Sequence, residues 1–229
     1  MLNAMNIHFQ IKLETGQVLT FDVQDRRDAD LSEMSAFSGV PSWARLEHHQ
    51  CSICPFDTKD TKYCPAAFEM QDVIAKCSNH ISYEKIDLSR ISENGTVTTQ
   101  TDMQTALFAV IGEKAISSAC KVLNTRRWTL NYYSILPTPE NLFYRFLSSY
   151  LVWQFLKADC GQEPDFELKN HLEYIDKGIN VFGHLLERFR QVSVEDASNN
   201  AIFKLVIMAK LLQKRHANWI EDLKNKIGI

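Results

Sequence analysis

The chain lacks the signatures by which a sequence most readily declares its chemistry. It holds no GxxxxGK[ST] phosphate loop, no GxSxG nucleophile turn, no HExxH helix and no Rossmann glycine fingerprint, which lowers the prior for nucleotide enzymes, hydrolases, metalloproteases and dehydrogenases. No stretch approaches the roughly 18 consecutive apolar residues of a spanning helix, so no membrane association is expected. Met1 to His8 offer neither a basic start nor an apolar run with a small-residue cleavage site, and do not read as a signal peptide. A basic excess is missing too: the formal net charge is -3 and the pI near 6.2, against binding nucleic acid by bulk charge. These absences place the protein in a reducing cytoplasm, where its six cysteines are expected as thiols or metal ligands rather than disulfides.

What the chain does have is sulfur in one place. Cys51-Ser52-Ile53-Cys54-Pro55 is followed by Cys64-Pro65-Ala66-Ala67. A C-x2-C turn aims two thiolates at one point, and a third cysteine ten positions on can close a third corner of a tetrahedron. The bland alternative is buried structural thiols, since free cysteine is among the most buried residue types. A fourth ligand is offered by His48 or His49, by Cys77, or by Cys120 in the first long helix, and spacing does not choose among them. Zinc suits a closed site of four thiolates; an iron–sulfur cluster is the alternative, because Cys-Pro pairs also flank cluster ligands.

Around this knot the periodicity changes once. Ile7, Phe9, Ile11 and Leu13 alternate with polar residues, Glu14 to Gln17 supply a turn, and Leu19, Phe21 and Val23 resume the alternation, predicting a hairpin with one buried face. Residues 24–50 read as loop with a little helix, and a helix is expected from Pro65 to Lys76. A second hairpin, Ser82 to Ser92 and Thr96 to Thr101, flanks Asn94-Gly95, a dipeptide that favours a type I′ turn. Helices follow: Thr101 or Asp102 to about Val122; about Pro137 to Lys157; one capped by Asp165 with a stripe from Leu168 through Phe189; and roughly Asp196 to Lys226. The second of these is apolar nearly all round and is expected to be the central, most buried one. The expected class is α+β, a small antiparallel sheet of two hairpins packed on a C-terminal bundle of about four helices. Residues 1–101 carry nine Lys/Arg and fourteen Asp/Glu, and residues 102–229 carry sixteen and fourteen. No Gly/Ser- or Pro-rich linker parts these halves, so a single domain over 1–229 is expected.

C-x2-C-P, then C-P-A-A, a strand beginning Ser82-Tyr83-Glu84, a helix with Ser118-Ala119-Cys120, and Pro139-Glu140 opening a helix with Tyr144-Arg145 and Tyr150-Leu151 together resemble a family of uncharacterised bacterial domains. The likeness spans most of residues 45–205. In that family a cysteine in a Ser-Gly-Cys-Pro turn stands where Cys120 stands, so the resemblance implies Cys51, Cys54, Cys64 and Cys120 as one ligand set. This chain has Ser118-Ala119-Cys120-Lys121 there, and Asn131-Tyr132-Tyr133 where the family tends to show Arg-Phe-His. No activity of the family carries over.

Two functional classes follow. The first is a zinc-stabilised interaction or regulatory module without catalysis, whose bundle surface docks a protein partner or a second copy. The second is an iron–sulfur or thiol-based redox sensor. Nucleic acid is a weaker candidate partner, resting on Lys121, Arg126, Arg127 and Trp128 and on six cations of the last helix that face only Glu221 and Asp222.

Overall fold

Strict alternation of apolar and polar residues turns directly into a half-buried sheet. The computed structural model describes residues 6–26, 29–125 and 134–228. Strands β1 (Ile7–Leu13) and β2 (Val18–Val23) bury every second side chain, with Gly16 at a φ of 89° in the turn, a left-handed conformation that only glycine adopts without cost. After β2 come a short helix α1 (Leu31–Ala36), capped by Asp30 onto the Ser32 N–H, and a 3-10 turn at Ser42–Ala44. The helix expected from Pro65 is instead two, α2 (Pro65–Phe68) and α3 (Gln71–Cys77). Strands β3 (Lys85–Ser92) and β4 (Gly95–Asp102) complete an antiparallel sheet in the order β2-β1-β3-β4. Their turn differs from the expected type. Ser92 pairs with Gly95, only Gly95 of the Asn94-Gly95 pair has positive φ, at 115°, and Glu93 and Asn94 form the bend.

Four helices follow: α4 (Met103–Ser117), α5 (Pro139–Asp159), α6 (His171–Arg190) and α7 (Ala197–Ile227). Asp102 caps α4 on the Thr105 N–H at 2.9 Å and Thr138 caps α5 on Asn141, each cap worth about 1 kcal/mol. The α+β class is as expected, and the largest core cluster runs from Phe9, Phe21 and Leu88 of the sheet through α4 to Leu185, Phe189 and Ile202 of α6 and α7.

Three helix readings are corrected. The most enclosed helix is α4, not α5: only Gln104 and Thr105 of its fifteen residues are less than buried. Small residues at Ala106, Ala109, Gly112 and Ala115 let neighbours close on it from both sides, and a Cβ on Gly112 would lie 3.4 Å from the Leu205 side chain of α7. Helix α5 buries Phe143 and Tyr150 on one face, while Tyr144, Trp153 and Phe155 on its other side remain exposed. Helix α4 also stops at Ser117 rather than Val122, because Ser118 turns extended and its hydroxyl donates to the Ala115 carbonyl at 2.7 Å. Finally, Asp165 caps a turn rather than α6: its carboxylate accepts the Lys169 and Asn170 N–H groups, Leu168 takes a φ of 61°, and the helix starts at His171.

Candidate metal centre

Residues 44–64 form a long loop closed on itself by a short antiparallel contact. Arg45 bridges to Tyr63, the Leu46 N–H donates to the Lys62 carbonyl at 2.9 Å, and the Cys64 N–H donates to the Ala44 carbonyl at 2.9 Å. Between these ends, residues 47–62 hold turns and no regular element. Helix α6 grips the loop along its length. Arg188 donates to the carbonyls of Trp43 at 2.7 Å, Arg45 at 2.6 Å and Leu46 at 3.2 Å, Gln191 bonds His49 at 2.7 Å, and Asn180 donates to the Ser52 hydroxyl at 2.9 Å. At 1% exposure Arg188 heads the fully buried side chains, and these carbonyls, with the nearby sulfurs of Cys64, Cys51 and Cys54, make such a position tolerable for a charge.

The sulfurs lie beside that guanidinium. Cys51 hydrogen-bonds to Cys54, and the charges of Cys120 and Cys64 also act on it, so its thiol is pushed well above the ordinary value. The Cys51 hydrogen bond pulls Cys54 the other way, down to about 6, helped by the Phe56 N–H, Gln50 and the charge of Arg188. Burial raises Cys64, which faces the Ala67 and Ala66 N–H groups, and raises Cys120 to about 11, with the Leu123 and Val122 N–H groups directed at it. Backbone N–H groups two or three residues after three of the four cysteines thus act on the sulfur in the direction of thiolate, which burial outweighs at Cys64 and Cys120. Because α4 ends early, Cys120 sits in a turn beyond the helix, a correction to its expected place within it. All four are free thiols. Among the described residues no group of three or more His, Cys, Asp or Glu side chains is arranged to hold a metal ion.

Of the other named ligands, Cys77 lies elsewhere and His49 is bonded to Gln191, while the Nε2 of His48 is buried with no hydrogen-bond partner among the described residues. Cys77 is buried in the main core, where burial raises its thiol to about 12 and the charged groups acting on it are Asp72, Lys76 and Glu84. His48 stacks edge-on against His49 at 4.9 Å, and burial and Arg188 depress its pKa. Cys160 is exposed at the end of α5. Arg126, Arg127, Trp128 and the Asn131-Tyr132-Tyr133 stretch lie outside the described residues.

Two groups escaped the sequence reading. Arg188 falls one residue before Phe189 at the end of an apolar stripe, and a cation on that face is the signal that would have found it. His171 and His216 join α6 to α7 through a 2.7 Å Nδ1···Nε2 hydrogen bond inside a cage that includes Phe143, Tyr150 and Tyr174. Burial lowers the pKa of His216 from 6.5. Below about pH 6.5 the unfolded chain binds a proton that folded His216 refuses, so its contribution to stability is present above that pH and lost as pH falls. We expect its imidazole titration, followed by NMR, to have a midpoint below 6.5; a midpoint at or above that value would contradict the enclosed pairing.

With this geometry in view, the comparisons with known proteins give a family and nothing finer. The family model described as Domain of unknown function (DUF6901) matches residues 7–227. The chain belongs to that uncharacterised family. No curated protein matches it, and no solved structure does. No helix among the described residues is long and apolar enough to cross a membrane.

Proposed function

We propose that the protein is a non-catalytic interaction module in which one zinc ion, held by Cys51, Cys54, Cys64 and Cys120, staples the 44–64 loop to the turn after α4. What supports this reading is that four cysteines from three separate chain segments lie near enough for their charges to act on one another; closing them on one ion would need the loop to draw in, since among the described residues no three are arranged to hold it. Four thiolates around Zn2+ leave a net charge of about -2, which the N–H groups aimed at sulfur and the nearby Arg188 would offset. The staple also has a purpose. Residues 47–62 bury little apolar surface, so the loop has small means of its own to offset the entropy of being ordered. A reducing cytoplasm would keep the thiols available, and the CxxCP and CPAA motifs would be a property of the bacterial family. Exposed apolar side chains on α5 support docking of a protein partner or a second copy.

The second reading, an iron–sulfur or dithiol sensor, draws on the Cys51–Cys54 hydrogen bond, which joins two sulfurs in one turn. Elemental analysis of protein purified without added metal separates the two. We expect one zinc per chain and no visible absorption, with Cys54→Ser and Cys120→Ser losing the ion and Cys77→Ser keeping it. Iron with a broad visible band would favour the cluster. A metal-free protein that forms a Cys51–Cys54 disulfide on mild oxidation would favour the dithiol.

A further inference from the structure

Beside the cysteines lies a cleft of about 590 Å³, within the ordinary range of small-molecule sites. One wall is the cysteine loops themselves, with Pro55 from the first and Lys121 from the turn after Cys120; the other is helical, with Tyr150 and Trp153 from α5 and Tyr174 and Lys177 from α6. The helical wall is a run of rings. Tyr150 meets Trp153 at 5.9 Å and Tyr174 at 5.8 Å between centroids, yet Trp153 remains 46% exposed. A half-exposed indole in a concave site, with the Lys157 ammonium over its ring, leaves area on which a flat group can stack.

The charges around these rings favour an anion. Lys121 and Lys177 line the cleft, and the Lys157 ammonium stands 5.5 Å from the Trp153 ring centroid. Of the nearby carboxylates, Asp165 is committed to the Tyr150 hydroxyl at 2.8 Å and to two backbone N–H groups. Glu173 holds Lys177 at 2.9 Å in a pair that is about half exposed on both sides. A pair of that kind is worth about 0–1 kcal/mol, so Lys177 can exchange it for a ligand anion.

We infer that this cleft binds a nucleotide, with the base stacked on Trp153 and Tyr174 and the phosphate met by Lys121 and Lys177. Stacking on aromatic side chains tolerates any base, and the lysines recognise phosphate as point charges. The inference stands on the cleft's own side chains and does not rest on the metal. Base and phosphate come either as a free mononucleotide or as part of a single strand.

The test is calorimetric titration of the full chain with AMP, adenosine and inorganic phosphate, beside fluorescence anisotropy of a labelled adenine octanucleotide. AMP is expected to saturate one site, with adenosine and phosphate each at least about tenfold weaker. Trp153→Ala and Lys121→Gln should each weaken AMP by about tenfold while leaving the circular dichroism unchanged. Lys224→Gln, near the far end of α7, should change nothing. An octanucleotide that binds no tighter than AMP assigns the site to free nucleotides. One that binds tighter, with a steep salt dependence, assigns it to a strand. The inference is overturned if neither AMP nor the octanucleotide binds saturably, or if binding survives both variants.

Discussion

Replacing Arg188 with alanine is expected to lower the stability of the protein by about 3–5 kcal/mol, from orphaned buried acceptors together with the loss of a large buried side chain. Among the described residues the side chain has no carboxylate partner: its hydrogen bonds run to the carbonyls of Trp43, Arg45 and Leu46. Deleting it leaves the carbonyls of Trp43 and Leu46 without this donor, each at about 1–3 kcal/mol, while Arg45 keeps the His48 N–H at 3.2 Å, and it removes one of the largest fully buried side chains. At about 2–4 °C per kcal/mol for a chain of this size, the melting temperature should fall by roughly 6–20 °C. Arg188→Lys keeps the charge, but a single ammonium cannot reproduce the guanidinium fork, so about half the loss should remain. Urea unfolding reads both values. A second measurement locates the damage. If Arg188 fastens the cysteine loop, amide exchange in the alanine variant should accelerate most in residues 44–64. Its charge also helps hold Cys54 low, so the alkylation profile of that thiol should move to higher pH. A loss below about 1 kcal/mol, smaller than the cost of one orphaned carbonyl, would show that the loop is held by other means.

Arg188 also marks the boundary of what could be read without coordinates. Local periodicity carried the hairpins and helices because each of those signals lies within a few residues: Phe9 and Phe21 face the core for the same reason that their neighbours do not. Which apolar helix lies between two layers is a different kind of fact. Helix α5 has the more aromatic sequence, but enclosure depends on what stands on either side, and the small side chains of α4 let the sheet and α7 approach it together. Helix ends were misplaced where a side chain outbid the helical pattern, as with Ser118 and the early stop before Cys120. The cysteine cluster was legible as a motif, and the charge beside it was not. An arginine in the last turn of a helix is ordinarily a solvated cation interacting with the helix C-terminus, and nothing within the reach of a local pattern connects it to carbonyls more than 140 positions away.

The second large effect concerns the ion pair between sheet and α4, and it should depend on pH as well as on which partner is removed. Arg90, on the core face of β3, donates to Glu113 of α4 at 2.9, 3.2 and 3.1 Å, with both residues buried. Burial pushes the Glu113 carboxyl from 4.5 up to about 7, against the pull of Arg90 and then Arg145. A carboxyl whose folded pKa is raised contributes stability below its unfolded value and loses it as pH rises through the folded one. Arg90→Met should therefore cost little at about pH 5, where Glu113 can keep its proton, and about 3–5 kcal/mol at about pH 8.5, where it must carry an uncompensated charge. Glu113→Leu behaves differently because the guanidinium cannot shed its proton and position 113 no longer titrates: its cost should be greater at about pH 5 than at about pH 8.5, where the parent has lost the stability that its raised carboxyl supplies. The double variant Arg90→Met/Glu113→Leu replaces the pair with side chains of comparable reach and should recover to within about 1 kcal/mol of the parent at about pH 8.5. Urea midpoints of the four proteins at the two pH values complete the cycle. Equal costs for Arg90→Met at both would mean that Glu113 is ionised throughout, and that the guanidinium outweighs burial at this site.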